Sequence, residues 1–338
     1  MSEILFDNVN PADATTYARK LATRLDSEGV NLAQFLPNRV ISGLESKTTR
    51  VSRTQTVARF RAFDAVTPVG KRPIAMSTSK VGLAPLGQKL PLREQEILLK
   101  ALGNGDYSDI ISMVYDDTTN NTSAIHNLME VLRGQFLFTG KITANDNGFI
   151  QEADFGLPAL HNLDAAAVGT PWSTTTIDSI EQELAWVQTV EDDADTNVVA
   201  MLTSRRVVNT MLKMDVYKTP TSNVVNRSLT AMNALRTEVG LPPVVIYDKS
   251  IAGSRITPDN KIALVTSTVG ETQWGDTAEA LRLFGSNAID EQSVDSPAIA
   301  ASAWISDDPV NVWSKANATA LPVAGDINGL FVAEVLAV

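Results

Sequence analysis

Ile111, Val114, Ile125, Leu128 and Leu132 recur at alternating steps of three and four residues. Thr118 and Asn121 fill the two steps at which an apolar residue is missing. That is a helical period. It predicts one helix over 107–136, about 45 Å long at about 1.5 Å per residue. Most helices in compact domains are far shorter. The middle of the stretch, DDTTNNTS (116–123), consists of poor helix formers. The register survives it, which favours an unbroken helix with its middle lying across a polar surface over two helices separated by a break. After the helix, GQFLFTG and KITANDNGFI (134–150) predict a strand, an Asn-Gly turn and a second strand. A long helix feeding straight into a hairpin therefore constrains everything else in the chain.

A chain of 338 residues, 44% of them hydrophobic, has enough apolar mass for two or three structural units. With no cysteine, disulfides, thiolate nucleophiles and Cys-type zinc sites are excluded. The opening MSEILFDNV lacks the basic-then-apolar pattern of a signal peptide, and no window resembles a membrane span. A formal net charge of −11 argues against a general nucleic-acid binder, which needs a basic face.

The charge is unevenly placed. Residues 47–93 hold ten lysines and arginines against one acid, Asp64, a net of +9, so the remainder carries −20. Two extended runs, VARFRAF (57–63) and IAMSTSKV (74–81), are joined through TPVGKRP, the pattern of a long hairpin with a Gly/Pro turn. Arms of about 12 to 15 residues would reach roughly 40 to 50 Å. An isolated two-stranded ribbon is marginal in water. A basic ribbon on an acidic protein therefore calls for an acidic partner surface, most simply another copy of the chain. Arg50, Arg53, Arg59, Arg61, Lys71, Arg72 and Lys80 are the candidate inter-subunit contact residues. A solvated hairpin and a nucleic-acid contact are the other readings, the latter thin in aromatics with only Phe60 and Phe63.

Residues 1–46 hold one short predicted helix, about 15–28, with Tyr17, Leu21 and Leu25 in register. The segment is too poor in apolar residues for its own core and reads as an arm lying on another surface, such as another subunit. Beyond a connector at 157–176, Thr175 and Asp178 suggest a capping box for a helix carrying Ile177, Ile180, Leu184 and Val187. A buried strand VVAML follows, then a helix capped by Ser204, then one with Val225, Leu229, Met232, Leu235 and Val239 stopped by Gly240. Strands are predicted at 244–247 and 262–265, so 177–300 reads as a small α/β unit. The strand-like tail from 303 is expected to pair with the hairpin after the long helix.

No active site emerges. His126 and His161 are the only histidines, and both read as packing or surface residues rather than bases or ligands. Gly103 and Gly105 lack the spacing and preceding strand of a phosphate loop. Glu191, Asp192, Asp193 and Asp195 do not match a calcium loop and read as an acidic helix exit. The five tryptophans are scattered, and core or interface packing is the default. No metal or cofactor is expected.

Three segments carry a family resemblance: LRGQFLFTG (132–140); VVIYDK (244–249) with TPDNKIALV (257–265); and the run from DDPV to GLFVAEVL (307–336). In order and spacing the chain resembles the major capsid protein E family of lambda-like tailed phages. The resemblance implies an α+β Hong Kong 97-type capsid fold. Residues 1–46 would form an N-terminal arm and 47–91 an extended β-hairpin loop over a neighbour. Residues 92–176 with 303–338 would form a peripheral domain built on the long spine helix, and 177–302 an axial domain. The implied function is the major capsid protein of a double-stranded DNA phage, forming hexamers and pentamers of an icosahedral shell. Implied partners are copies of itself, a separate scaffolding protein (because only about 46 residues precede the ribbon), a portal protein and, left open, a decoration protein. DNA would be enclosed without sequence-specific binding, assembly would occur in the host cytoplasm, and no membrane is involved. An encapsulin-like nanocompartment shell is the alternative within the fold. A hydrolase using the α/β unit is the alternative in another class.

Overall fold

The structure is a computed structural model and describes residues 10–53, 74–93, 107–217, 228–285, 296–308 and 310–336. In chain order its elements are helix α1 (Pro11–Ser27), strands β1 (Asn38–Val40), β2 (Glu45–Arg53), β3 (Ile74–Gly82) and β4 (Ala84–Leu92), and the spine helix α2 (Tyr107–Thr139). Then come β5 (Lys141–Asp146), β6 (Phe149–Asp154), β7 (Asn162–Leu163), α3 (Ala165–Val168), α4 (Ser179–Ala194), β8 (Val198–Thr203), α5 (Arg205–Met211), α6 (Leu229–Glu238) and β9 (Val244–Ile246). The last are β10 (Ser250–Ile251), β11 (Ser254–Arg255), β12 (Lys261–Thr266), β13 (Gly270–Gly275), α7 (Ala278–Gly285), β14 (Ala300–Asp307), β15 (Val310–Ala324) and β16 (Leu330–Glu334).

The spine helix is unbroken over 33 residues. Its polar middle has a partner. Thr118 and Asn121 are buried against β15, where Asn121 Nδ2 donates to the Ser314 carbonyl at 3.1 Å. Beneath the polar middle of the helix one face of β15 carries the small residues Ser314, Ala316, Ala318 and Ala320, all buried. Small side chains let helix and strand approach closely. One register position fails: Leu128 is exposed and Met129 is buried in its place. A strict 3.5-residue repeat drifts against a 3.6-residue helix. Five turns above Ile111 lies residue 129, not 128.

The helix continues through Gln135–Thr139, predicted as strand, and Gly140 ends it at φ 68°. The β5–β6 hairpin then turns at Asn147 and Gly148, both at positive φ, as a type I′ turn demands. The C-terminal tail does not pair with this hairpin. β15 is the centre of a first sheet, with β4 along one side and β14 then β13 along the other, and β1 beyond β13. β16 belongs to a second sheet, in the order β7-β16-β12-β8-β9.

The second sheet is buried on both faces, the condition that produces continuous apolar strands rather than alternating ones. Ala200, Leu202, Ala263, Val265, Leu330 and Val332 face the core shared with the spine helix. Met201, Ile262, Leu264, Phe331 and Ala333 face α4, α5 and α6. The expected boundary between 177–302 and 303–338 is therefore crossed twice: β13 leaves for the first sheet and β16 enters the second. Helix α4 is capped by Asp178, which accepts from the amides of Ile180 and Glu181, not by Thr175. Ser204 caps α5 and Gly240, at φ 83°, follows α6, as expected. Val225 and the Gly103–Gly105 turn lie outside the described residues.

Of the expected face of helix α1, Leu21 is buried, Leu25 is half-buried and Tyr17 is exposed. The helix's buried face is the alanine row Ala14, Ala18 and Ala22 with Leu21. That face lies on this chain's own spine helix and β14. Thr15 Oγ1 donates to the Ala301 carbonyl and accepts from its amide, at 2.9 and 3.0 Å.

Candidate assembly surface

β2 and β3 pair antiparallel over nine positions, from Glu45↔Gly82 to Arg53↔Ile74. The second predicted arm is thus β3, whereas the partner found is 45–53; the predicted first arm, 57–63, lies outside the described residues. At about 3.3 Å per residue the described ribbon is about 30 Å long. Among the described residues β2 and β3 pair only with each other. In the backbone register Lys47 pairs with Lys80. Arg50 and Arg53 occupy β2 opposite Ser77 and Ile74. Lys80 is exposed on β3. Arg59, Arg61, Lys71 and Arg72 lie outside the described residues. At the ribbon's base, Gln151 Nε2 of the β5–β6 hairpin donates to the Gly82 carbonyl at 2.7 Å, tying the ribbon to that hairpin.

Among the described residues, buried titratable groups form two hydrogen-bonded clusters. His126 is buried and donates Nδ1–H to Asp26 at 3.3 Å, while Lys249 Nζ approaches its Nε2 at 3.5 Å. Arg133, fully buried, donates to Thr272, Asp26, Glu130 and Asn38 at 2.7–3.0 Å. Tyr247 from the second sheet donates to Glu130. Burial opposes ionisation of Asp26, yet hydrogen bonds from His126, Arg133 and Asn38 and the charge of Arg133 hold it well below the usual carboxylate range. Burial and the Glu130 carboxylate push the Tyr247 phenol far up. The network welds α1, the spine, β13 and the turn after β9.

A second buried pair, Glu183 with Arg236, lies between α4 and α6. Burial pushes the Glu183 carboxyl up to about 7 against the pull of Arg236. Neither side chain is exposed. His161 is buried, with Nδ1 at 3.1 Å from the Leu330 carbonyl and Nε2 at 3.0 Å from Asp193. The acidic run at 191–195 is a helix exit: Glu191 accepts the Val198 amide, and Asp195 takes a left-handed conformation at φ 51°. Among the described residues no three His, Asp or Glu side chains converge as a metal site, and no helix is long and apolar enough to cross a membrane. Trp172 and Trp186 stack in the second core, and Trp274 Nε1 donates to Asn38. Sequence reasoning missed Asp26, Arg133, Glu183 and Arg236. A charged residue on the apolar face of a helix was the only signal available for them.

The sequence matches the family described as phage major capsid protein E over residues 2–335. The chain belongs to that family. It is a phage capsid protein, a structural component of the virion, and this decides against the nanocompartment alternative. No curated protein matches the sequence. Among solved structures, a putative capsid protein of a prophage from E. coli CFT073 is similar at 15% identity and TM-score 0.61, covering 96% of this chain and 99% of that one. A phage-related protein from Bordetella bronchiseptica RB50 is similar at 9% identity and TM-score 0.55, covering 95% of each chain. A virus-like particle protein from Pyrococcus furiosus is similar at 11% identity and TM-score 0.50, covering 94% and 98%. At such identities the structures speak for the fold alone, and the capsid protein has the Hong Kong 97-type fold that its sequence resembles.

Proposed function

We propose that this capsid protein builds the head of a tailed double-stranded DNA phage as hexamers and pentamers. It does so by laying the 47–91 ribbon over a neighbouring subunit, where Arg50, Arg53, Arg59, Arg61, Lys71, Arg72 and Lys80 meet acidic side chains. One observation supports this most: among the described residues the two ribbon strands pair only with each other, and a two-stranded ribbon is marginal in water without a further surface to lie on. Residues 1–46 act as the arm, though α1 is docked on its own subunit. The first sheet with the spine forms the peripheral domain, and the second sheet, including β16, forms the axial domain. Assembly takes place in the host cytoplasm with a separate scaffolding protein and a portal protein. The protein performs no catalysis, and DNA is enclosed without sequence reading.

The test is the double reversal Arg59→Glu with Arg61→Glu, expressed with the scaffold. Folded subunits that no longer close into shells are expected, as is weaker assembly at high salt, because exposed charges are screened beyond about 8 to 10 Å near physiological ionic strength. Normal shells from the double variant would sink the ribbon contact.

A further inference from the structure

The axial unit is electrically polarised along β8. At the C-terminal end of β8 a surface cleft of about 620 Å³ is lined by Arg205, Arg206, Lys213 and Arg255 together with Asp248 and Asp259. Arg205 pairs with Asp248 at 3.3 Å, and Arg255 pairs with Asp259 at 2.9 Å. Four cations face two carboxylates, so the cleft keeps an excess of two positive charges, and all four cations are exposed. At the other end of β8, about 20 Å away at about 3.3 Å per residue, α4 exits through Glu191, Asp192, Asp193 and Asp195. Asp326 joins them through the turn before β16, where Asn328 Nδ2 donates to the Asp193 carbonyl at 3.3 Å. Asp192 and Asp195 are exposed there.

We infer that the Arg206/Lys213 cleft receives the acidic α4 exit of a neighbouring copy, so that axial units join head to tail. Opposite charges at opposite ends of one unit make a heterologous contact, the kind that closes into rings when the rotation allows. Asp248 and Asp259 pre-align Arg205 and Arg255 for incoming carboxylates, while Arg206 and Lys213 supply the excess positive charge. In a shell the acidic end of the next copy is also held at high effective concentration. The inference rests on the ring-forming reading above and adds the pair of surfaces that meet.

Three variants test it, each produced as the full chain with its scaffold: Arg206→Glu with Lys213→Glu, Asp192→Lys with Asp195→Lys, and all four together. Shells and rings are counted by electron microscopy, and folding is checked by circular dichroism and Tm. Each double reversal is expected to cut assembled particles at least tenfold with folding intact, and the fourfold variant to recover most of the loss. Should a reversal unfold the chain, the neutral pair Arg206→Gln with Lys213→Gln is expected to assemble less well and with a weaker salt dependence than the wild type. Double reversals that assemble normally, or a fourfold variant with no recovery, overturn the inference. Intact shells that retain less DNA would assign the cleft to nucleic acid and overturn it too. A wild-type chain that forms no rings or shells would instead defeat the ring-forming reading, and this inference with it.

Discussion

Arg133 and Arg236 are both fully buried arginines facing carboxylates, yet their surroundings send those carboxylates in opposite directions. Around Arg133 the guanidinium reaches four partners, and Asp26 also receives His126 and Asn38. Asp26 stays ionised well below its ordinary range. Around Arg236 much of the fork is spent elsewhere, on the Pro242 carbonyl, Tyr217 and Met201, and Glu183 is left with little beyond the ion pair. Its carboxyl rises to about 7. Burying a charge costs several kcal/mol per ion unless further hydrogen bonds complete the shell. The first network completes it, at the junction where α1, the spine and both sheets meet. The second does not, and it sits within a single unit.

The sharpest way to break this contrast is Arg133→Met, which strands Asp26 and Glu130 without their guanidinium. A loss of about 3–5 kcal/mol is expected in denaturant unfolding of the subunit. Asp26→Asn keeps the shape but removes the charge, and about 2–3 kcal/mol should go. A native pKa held below the unfolded value contributes stability above about pH 4 that disappears as pH falls through the native value. Asp26→Asn should therefore also flatten the acid limb of the stability curve below about pH 4. Arg236→Met should cost less, about 1–3 kcal/mol near pH 5, because Glu183 can take up a proton there. The loss should grow toward pH 8.

Glu183→Gln is the mildest change, within about 1 kcal/mol near pH 5, where Glu183 is itself uncharged and the amide keeps its shape. Its signature is the pH profile. A native pKa raised from 4.5 to about 7 gives a contribution that is full below 4.5 and is lost as pH rises through about 7. The glutamine variant should lack that decline. An unchanged slope between pH 4.5 and 7 would show that Glu183 is not the group responsible.

Neither network was legible in the sequence. Asp26, Arg133 and Tyr247 are separated by more than a hundred positions in each step, and a charge on an apolar helix face does not say which distant residue it meets. The candidate assembly surface was partly legible. The charge imbalance and the extended pattern of 74–81 located the ribbon, but pairing is non-local, so 45–53 was not recognised as the arm opposite.

Local periodicity and local chemistry determined the rest of what the sequence could fix. The spine persists through DDTTNNTS because its register does. Asn147–Gly148 turns the hairpin because both positions need positive φ, and Ser204 caps because its hydroxyl accepts the Val207 amide. The strands of the second sheet read as buried because both of their faces are covered. What only the tertiary structure decided is which strands are neighbours. β16 could have joined either sheet on its apolar pattern, and α1 could have docked on another subunit. Those choices rest on burial summed across segments far apart in the chain, which no window of sequence contains.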